Sequence, residues 1–365
     1  MHVIALFNTV DTGNIGLENF MRQEYCRRRT IVVVKQTRED ALMQMHQDYP
    51  HCKVQIVSGL DTKRRGAFSG LQTLIRLGRP MVMHAHHAQA ALLGALMRCI
   101  PKTRLVTTAH NNFNRYKIRH KISFGIAFLF SDRIVCNSEG TKASLPWFVR
   151  REKSSVIYNG VDFRKLDIAS TSIEKTQTNT IVVGTVCRMV PQKDLPTLLR
   201  GFAKANARAE VPLTLRLVGD GPERHNIDRL IRELDVENAV ELTGALPRHE
   251  VYETLVDMDI FVVSSRWEGF CNAMVEAAAT GKAIIASDID PLPEVMGHNN
   301  ALFFDVGDTD TLCALILELV HDQQQRESLA ARGREFVRER YSLDVSALKY
   351  KTVYEELAEA FGKAL

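Results

Sequence analysis

Short runs of apolar residues alternate with amphipathic stretches of helical length along almost the whole chain. In the first half, residues 3–7, 31–35, 81–85 and 104–108 are such runs, and each is five residues long. Apolar runs of this length are typical of strands buried on both faces, and the stretches between them predict crossover helices. The pattern therefore predicts an α/β fold with parallel sheets covered by helices on both sides.

The pattern is interrupted once and then restarts. Residues 166–180 are rich in Ser, Thr, Gln and Asn and lack an apolar period, which is typical of a linker. Strand-like runs resume at 181–185 and continue to 283–286. We therefore expect two doubly wound units, each binding ligands beyond the carboxyl ends of its strands. The expected division has four parts: a first domain over 1–165, a linker over 166–180, a second domain over 181–340, and a C-terminal helix over 341–365 that packs back on the first domain.

Length and composition agree with a globular protein of two domains. The chain has 365 residues, 45% of them hydrophobic and 25% charged. Its seven cysteines are scattered without a CxxC pair, which favours a reducing compartment over a zinc ribbon. The first residues lack the pattern of a signal peptide, and the longest apolar runs are about half of a membrane span. We expect a cytoplasmic protein, peripheral at most on the inner face of a membrane.

Charge is distributed unevenly between the two halves. Residues 1–160 hold 24 Lys and Arg against 10 Asp and Glu, whereas the whole chain has a net charge of only +4. An excess of basic residues in one half indicates an anionic partner, such as a membrane surface or a lipid-linked acceptor. A solvated basic face that interacts with an acidic second half is the alternative. No recognition motif accompanies the charge, so we expect no nucleic acid.

The segment SSRWEGFCNAMVEAAATG at 264–281 is the most specific in the chain. It predicts a strand end, a turn containing Gly269 and a helix, whose first N–H groups form an anion site suited to a diphosphate. Glu268 lies in the turn, where its carboxylate can accept hydrogen bonds from hydroxyls of a sugar. Glu276 lies about one turn into the helix, where its carboxylate can accept hydrogen bonds from ribose hydroxyls. Two glutamates at this spacing, taken alone, are more often ordinary surface acids.

Four further segments occur in a fixed order with this one. They are VCNSEGTK at 135–142, VIYNGVD at 156–162, CRMVPQKD at 187–194 and LVGDGPE at 217–223. Together the five segments resemble the retaining GT-B glycosyltransferases of family 4, and the resemblance covers nearly the whole chain. It implies two Rossmann-like doubly wound domains with an interdomain cleft, and transfer of a sugar from a nucleoside-diphosphate sugar.

The resemblance also implies roles for individual residues. Arg188 and Lys193 correspond to two cations that bind the donor diphosphate, and His110 to a histidine near the transferred sugar. Gly13 and Gly16 correspond to the Gly-rich loop of the family, although the two glycines are separated here rather than adjacent. The loop could therefore contact either the donor phosphates or the acceptor. The residues expected to act in catalysis are His110, Arg188, Lys193 and Glu268. The residues expected to bind the nucleotide sugar are Gly13, Gly16, Gly219, Gly221, Leu246, Gly269, Phe270, Cys271, Asn272 and Glu276.

Two patterns could indicate a metal. His84, His86 and His87 have a spacing that can ligate zinc, but no carboxylate or cysteine cluster completes the set. The DxD pattern at 288–290 follows a late strand, away from the expected phosphate site. The resemblance implies chemistry without a metal or other cofactor, in which the donor phosphate helps to deprotonate the acceptor on the same face of the sugar.

The expected activity is transfer of a hexose, with UDP as the favoured nucleotide, to a glycan or lipid-linked acceptor of cell-envelope polysaccharide or lipopolysaccharide. Two alternatives stay open. One is a sugar-nucleotide 2-epimerase, which shares this architecture and needs no acceptor; the other is a non-catalytic partner of another transferase. An NAD-dependent dehydrogenase is disfavoured, because the full GxGxxG motif is absent at 13–16 and at 219–221.

Overall fold

The chain divides into two α/β units, one of which is discontinuous. The computed structural model describes residues 2–7, 28–33, 54–57, 81–98, 100–149, 151–172 and 179–362. The first unit combines Met1–Gly160 with Leu343–Leu365, and the second unit is Val161–Ser342.

The first unit is built on a seven-stranded parallel sheet with the order β3-β2-β1-β4-β5-β6-β7. Its strands are β1 (His2–Phe7), β2 (Arg28–Val33), β3 (Val54–Val57), β4 (Met81–Ala85), β5 (Thr103–Ala109), β6 (Arg133–Cys136) and β7 (Ser154–Val156). All six residues of β1 are buried, which explains why Val3 to Phe7 are continuously apolar rather than alternating. The described helices that precede β7 are α1 (Ala88–Met97), α2 (Ile118–Phe130) and α3 (Glu139–Ala143).

The second unit is built on a six-stranded parallel sheet with the order β10-β9-β8-β11-β12-β13. Its strands are β8 (Ile181–Val186), β9 (Leu213–Val218), β10 (Val240–Gly244), β11 (Ile260–Val263), β12 (Ala283–Ser287) and β13 (Leu302–Phe304). Its helices are α4 (Phe163–Ser172), α5 (Leu195–Asn206), α6 (Arg224–Glu233), α7 (Arg248–Asp257), α8 (Asn272–Ala279), α9 (Leu292–Met296), α10 (Thr309–His321) and α11 (Gln323–Arg340). The register pairs Ile181 with Leu213 and Val186 with Val218.

Both sheets reverse their strand order once, between β1 and β4 in the first unit and between β8 and β11 in the second. In doubly wound sheets the connections on either side of such a point leave in opposite directions and open a crevice at the carboxyl ends of the strands. This topology places the loops after β8 and β11 side by side. The predicted fold class, two Rossmann-like doubly wound domains, is confirmed.

The last helix, α12 (Leu343–Gly362), belongs to the first unit. Its Tyr354 is fully buried, and the hydroxyl is hydrogen-bonded to His84 Nδ1 at 2.5 Å. The other nitrogen of that imidazole, Nε2, is hydrogen-bonded to Thr108 Oγ1 at 2.6 Å. The side chain of His84 thus joins two neighbouring strands to the C-terminal helix. Of the helices within the described ranges, none is long and apolar enough to cross a bilayer.

The expectation of a linker over 166–180 is wrong for its first part, because α4 extends to Ser172. Leu166 and Ala169 lie on one buried face of this helix. Asp167 on another face accepts a hydrogen bond from Arg338 Nη1 at 3.1 Å, and the same guanidinium lies over the Phe163 ring at 5.2 Å. Contacts with α11, distant in sequence, therefore stabilise a helix whose own polar composition favours a loop.

A turn at Gly219 shapes the loop that follows β8. Gly219 has a φ of +128°, and a Cβ built on it would lie 1.9 Å from the carbonyl oxygen of Cys187. The turn also receives a hydrogen bond from the backbone N–H of Met189, which donates to Asp220 O at 2.9 Å. Only glycine permits this approach of the two loops, because any other residue would force them apart.

We expect Gly219→Ala to lower the free energy of unfolding of the second unit by at least about 2 kcal/mol, since it adds a backbone clash to an unfavourable φ. Gly307→Ala is the matched control. Gly307 also has a positive φ, +86°, but its Cβ would meet nothing within 4 Å, so only the conformational cost of about 1 kcal/mol remains. Urea unfolding of the full chain measures both; equal losses would show that the close approach at Gly219 is not needed.

Candidate functional site

A buried ion pair joins the loops after β8 and β11. Lys193 ends a short 3-10 turn, Pro191–Lys193, and its Nζ donates to Glu268 Oε1 at 2.5 Å. The Glu268 side chain is 7% exposed and the Lys193 side chain 22%. Because the two strands are neighbours at the reversal of strand order, this pair lies at the position where doubly wound sheets bind ligands.

Further hydrogen bonds hold the Glu268 carboxylate in place. Ser265 Oγ donates to Oε1 at 2.6 Å, and Gln192 Nε2 donates to Trp267 O at 2.8 Å while lying 3.5 Å from Oε2. Backbone contacts connect the same two loops, since Arg266 N donates to Gln192 O at 2.8 Å. The carboxylate is therefore oriented from three sides, as a buried charge requires.

Electrostatics keeps Lys193 charged in spite of its burial. Burial alone would lower the pKa of Lys193, but the carboxylate of Glu268 outweighs it and raises that pKa above its usual value. Cys187 and Cys271 line the same small concavity as Lys193. Burial raises the pKa of Cys187 to about 11 and that of Cys271 to about 12, so both thiols stay protonated at neutral pH.

Arg188 differs from Lys193 in its surroundings. It lies in the loop after β8, and its side chain is exposed. Among the described residues it has neither an ion-pair nor a hydrogen-bond partner. The backbone on its C-terminal side is fixed by the Gly219 turn, through the bond from Met189 N to Asp220 O. A guanidinium held out in this way can bind an anion without first breaking an internal bond.

The second glutamate of the motif lies on the buried face of its helix. Glu276 of α8 is 1% exposed and forms an ion pair with Arg248, the first residue of α7. The Nε atom of Arg248 also donates to the Tyr252 hydroxyl at 2.9 Å. Cys271 precedes the helix with a φ of +65°, an unfavourable conformation for a residue with a Cβ. The helix start is thus a constrained turn, in which Phe270 packs edge-on against Tyr341 at 5.2 Å between ring centroids.

In the first unit, His110 follows β5 within a group of aromatic rings. Its Nε2 is 3.2 Å from His86 Nδ1, within hydrogen-bonding distance. The His86 ring in turn stacks on Phe7, the last residue of β1, with centroids 4.5 Å apart. Asn137 Nδ2 donates to the backbone oxygen of His110 at 3.0 Å. Residues at the carboxyl ends of β1, β4 and β5 therefore hold the His110 ring.

These histidines are neutral at physiological pH. Burial lowers the pKa of His84 to about 3, with His110 contributing, and lowers that of His110 to about 3, with His87 contributing. Burial also lowers the pKa of His86, assisted by its histidine neighbours. A neutral imidazole can donate through one nitrogen and accept through the other, so His110 can bind a sugar hydroxyl without carrying a charge.

The other predicted residues have mixed outcomes. Gly13 and Gly16 lie outside the described residues. Leu246 is half-buried in the loop between β10 and α7, whereas Asp288 and Asp290 are exposed after β12. Within the described part of the chain no group of three or more His, Cys, Asp or Glu residues could hold a metal ion. The roles of the predicted catalytic and nucleotide-binding residues stay predictions.

Sequence reasoning missed three residues that the structure adds. Gln192 and Ser265 orient Glu268, and both lie inside segments already singled out, beside Lys193 and three residues before Glu268. A search for partners of a buried carboxylate could have found them. Arg248 lies outside every motif, and its pairing with Glu276 across 28 positions has no local sequence signal.

The free energy of unfolding is expected to fall as the pH drops below about 6.5, the unfolded pKa of histidine. Above that pH the three histidines are neutral in both states. Below it the unfolded chain binds protons that His84 and His110 of the folded chain do not bind until about pH 3, and the pKa of His86 is lowered in the same direction. His84 and His110 should then each lower the free energy of unfolding by about 2 kcal/mol at pH 5. Thermal unfolding measured from pH 7.5 to 5 checks this.

His86→Phe should flatten that profile, since phenylalanine keeps the stack on Phe7 without a titrating group. His249→Gln is the control, because the His249 side chain is 74% exposed. If the His86→Phe variant follows the wild-type profile as the control does, His86 is not a source of the acid sensitivity.

Comparison with known proteins identifies the family. The model of the glycosyl transferases group 1 matches residues 169–336, and that of glycosyltransferase family 4 matches residues 30–165. An uncharacterized glycosyltransferase of Methanocaldococcus jannaschii is 27% identical over 307 residues, which is 80% of this chain and 83% of the relative. The lipopolysaccharide core biosynthesis glycosyltransferase LpsD of Rhizobium meliloti is 37% identical over 170 residues, 46% of this chain and 47% of LpsD.

Solved structures agree in fold. The crystal structure of HepE from Anabaena in complex with UDP and glucose superposes with a TM-score of 0.83, covering 98% of this chain and 100% of HepE at 19% identity. The strand orders of both sheets, the matches of the two family models and this superposition lead to one assignment. The chain is a glycosyltransferase and belongs to family 4 of the GT-B glycosyltransferases.

Proposed function

We propose that this glycosyltransferase moves a hexose from a UDP-sugar, with retention of anomeric configuration, to a glycan or lipid-linked acceptor of cell-envelope polysaccharide or lipopolysaccharide. The donor diphosphate binds the second unit, at the loops after β8 and β11 and at the start of α8. The acceptor binds the first unit, with His110 beside the transferred sugar.

The observation that carries the proposal is the arrangement of two cations after β8. Lys193 is held by Glu268, and exposed Arg188 has no partner among the described residues. Breaking the anomeric C–O bond leaves negative charge on the departing diphosphate, and preorganised positive charge stabilises it most effectively. Arg188 supplies that charge as the first contact, and the N–H groups at the start of α8 supply a second.

In this scheme the two glutamates accept hydrogen bonds from hydroxyls of the donor. Glu268 retains lone pairs beyond those used by Lys193 and Ser265, so its carboxylate can accept a hydroxyl of the donor sugar. Glu276 accepts hydrogen bonds from the hydroxyls of the ribose. It is paired with Arg248 in this structure, so this carboxylate shares its charge between the guanidinium and the ribose.

Similar proteins support the choice of substrates. HepE is solved with UDP and glucose, and LpsD is named for lipopolysaccharide core biosynthesis. The retaining mode rests on the resemblance of segments 187–194 and 264–281 to the family pattern. No metal enters the scheme, because the side-chain cations take the place of a divalent ion.

UDP should raise the melting temperature of the full chain more than GDP or ADP does. At a concentration 100 times its Kd, a ligand stabilises the folded state by about 2.7 kcal/mol, which corresponds to roughly 5–10 °C for a unit of this size. Thermal-shift titration measures the change. Uridine is the control, since it lacks the diphosphate and should have little effect. A larger shift with GDP would overturn the assignment of the base, and no shift with any nucleotide would overturn the proposed function.

Arg188→Ala should lower kcat by roughly 10²–10³, the usual effect of losing one preorganised donor to a developing anion. Arg200→Ala, an exposed arginine of α5 in the same unit, is the matched control and should retain wild-type turnover. Both are followed as nucleoside diphosphate released from the donor. Wild-type turnover of the Arg188 variant would remove this residue from the mechanism.

A further inference from the structure

The outward side of α2 is apolar, although it faces solvent. Its exposed large side chains repeat at intervals of three or four residues and so form one stripe along the helix. We call them the α2 surface; they are Ile118 (73% exposed), Ile122 (58%), Ile126 (38%), Leu129 (60%) and Phe130 (48%). The opposite side of the helix, with Phe124 and Phe128, packs into the core. Single exposed apolar residues are ordinary, but a continuous stripe of five marks an interaction site.

Two aromatic residues extend this surface. Phe148 packs beside α2, since a Cβ on Gly125 would lie 3.6 Å from its Cζ atom. Trp147 meets the Phe148 ring edge-on at 5.9 Å and is 94% exposed. A tryptophan that is almost fully exposed beside an apolar stripe gains no free energy from burial unless a partner covers it.

The charge around the α2 surface has one sign. Residues 111–131 contain Arg115, Lys117, Arg119 and Lys121 and no Asp or Glu. Of these, Lys117, Arg119 and Lys121 have no ion pair with any described residue. An apolar stripe bordered by unpaired cations, with an aromatic residue at its edge, is the combination by which a helix binds the interface of an anionic bilayer.

We propose that the α2 surface and Trp147 dock the first unit on an anionic lipid bilayer, with α2 lying in the plane of the headgroups. At 1.5 Å per residue its 13 residues extend for about 20 Å, so the helix can lie along the surface while its apolar stripe enters the acyl boundary. Lys117, Arg119 and Lys121 contact the lipid phosphates. Charge complementarity favours this occupant over a protein partner, because the whole first half of the chain has an excess of basic residues.

Docking in this way favours acceptors that are anchored in the same membrane. This part of the inference rests on the proposed function. The loop from His110 to Lys117 connects the predicted acceptor residue directly to the start of α2. Asn112 holds this loop by accepting a hydrogen bond from Asn114 N at 3.1 Å. A lipid-anchored acceptor in the same bilayer reaches His110 by lateral diffusion, so the acceptor class is an amphiphile with its sugar at the headgroup level.

Co-sedimentation with phosphatidylcholine vesicles, with and without phosphatidylglycerol, tests the docking. The full chain should bind only the phosphatidylglycerol vesicles, and binding should weaken with added salt. Ile122→Asp/Leu129→Asp should lower the partition coefficient at least tenfold. Ile168→Asp is the matched control, because Ile168 is 66% exposed in the second unit and should leave binding unchanged. Lys117→Glu/Lys121→Glu should lower binding as well, since each basic residue strengthens it about fivefold, equivalent to about 1 kcal/mol.

Trp147 provides a readout of its own position. The chain has two tryptophans, so Trp267→Phe leaves Trp147 as the sole emitter. Its emission should shift to the blue on phosphatidylglycerol vesicles and be quenched by brominated lipid. Vesicle binding that is absent in the wild type, or undiminished in the Ile122/Leu129 variant, overturns the proposal. So does a wild type that is an oligomer without vesicle affinity and becomes monomeric in that variant, since the surface is then a protein interface.

The UDP thermal shift separates this proposal from the proposed function. Variants of the α2 surface should keep the full shift with UDP while losing vesicle binding. A chain that binds vesicles through α2 but no nucleotide would retain the docking surface and lose the transferase mechanism.

Discussion

The buried ion pair between Lys193 and Glu268 is the contact on which the second unit's site depends. It joins the loops after β8 and β11, two central strands that are far apart in the sequence but are neighbours in the sheet. A buried carboxylate without its cation would cost several kcal/mol, so neither loop can move away without the other. The pair therefore acts first as a structural restraint that fixes where an anion can bind, and its charges are already largely compensated.

That compensation gives the two basic residues different tasks. In the proposed scheme Lys193 maintains the loop geometry and Arg188 binds the ligand, with its backbone held by contacts with the Gly219 turn. The first unit follows a different principle, because its His84, His86 and His110 are kept neutral by burial. In the proposed scheme Arg188 therefore offers positive charge to the diphosphate, and the neutral histidines offer hydrogen bonds to the sugar.

Much of the fold could be predicted from the chain, because buried parallel strands are apolar throughout and recur between helices. The loops after β8 and β11 were also predictable, since their chemistry is contained in contiguous segments. Three features were not. Helix α4 is stabilised by Arg338, the Glu276 carboxylate is paired with Arg248, and His84 is bonded to Tyr354. Each depends on a partner far along the chain, for which local patterns contain no information.

The bond between His84 and Tyr354 has a consequence for the order in which the polypeptide matures. The second unit is contiguous, whereas the first unit is complete only with its final helix. At a translation rate of about 5–20 residues per second, the first-half sheet waits roughly 10–40 seconds for Tyr354 to leave the ribosome. During that interval His84 has Thr108 as a partner but lacks the Tyr354 hydroxyl, so the part synthesised first completes its packing last.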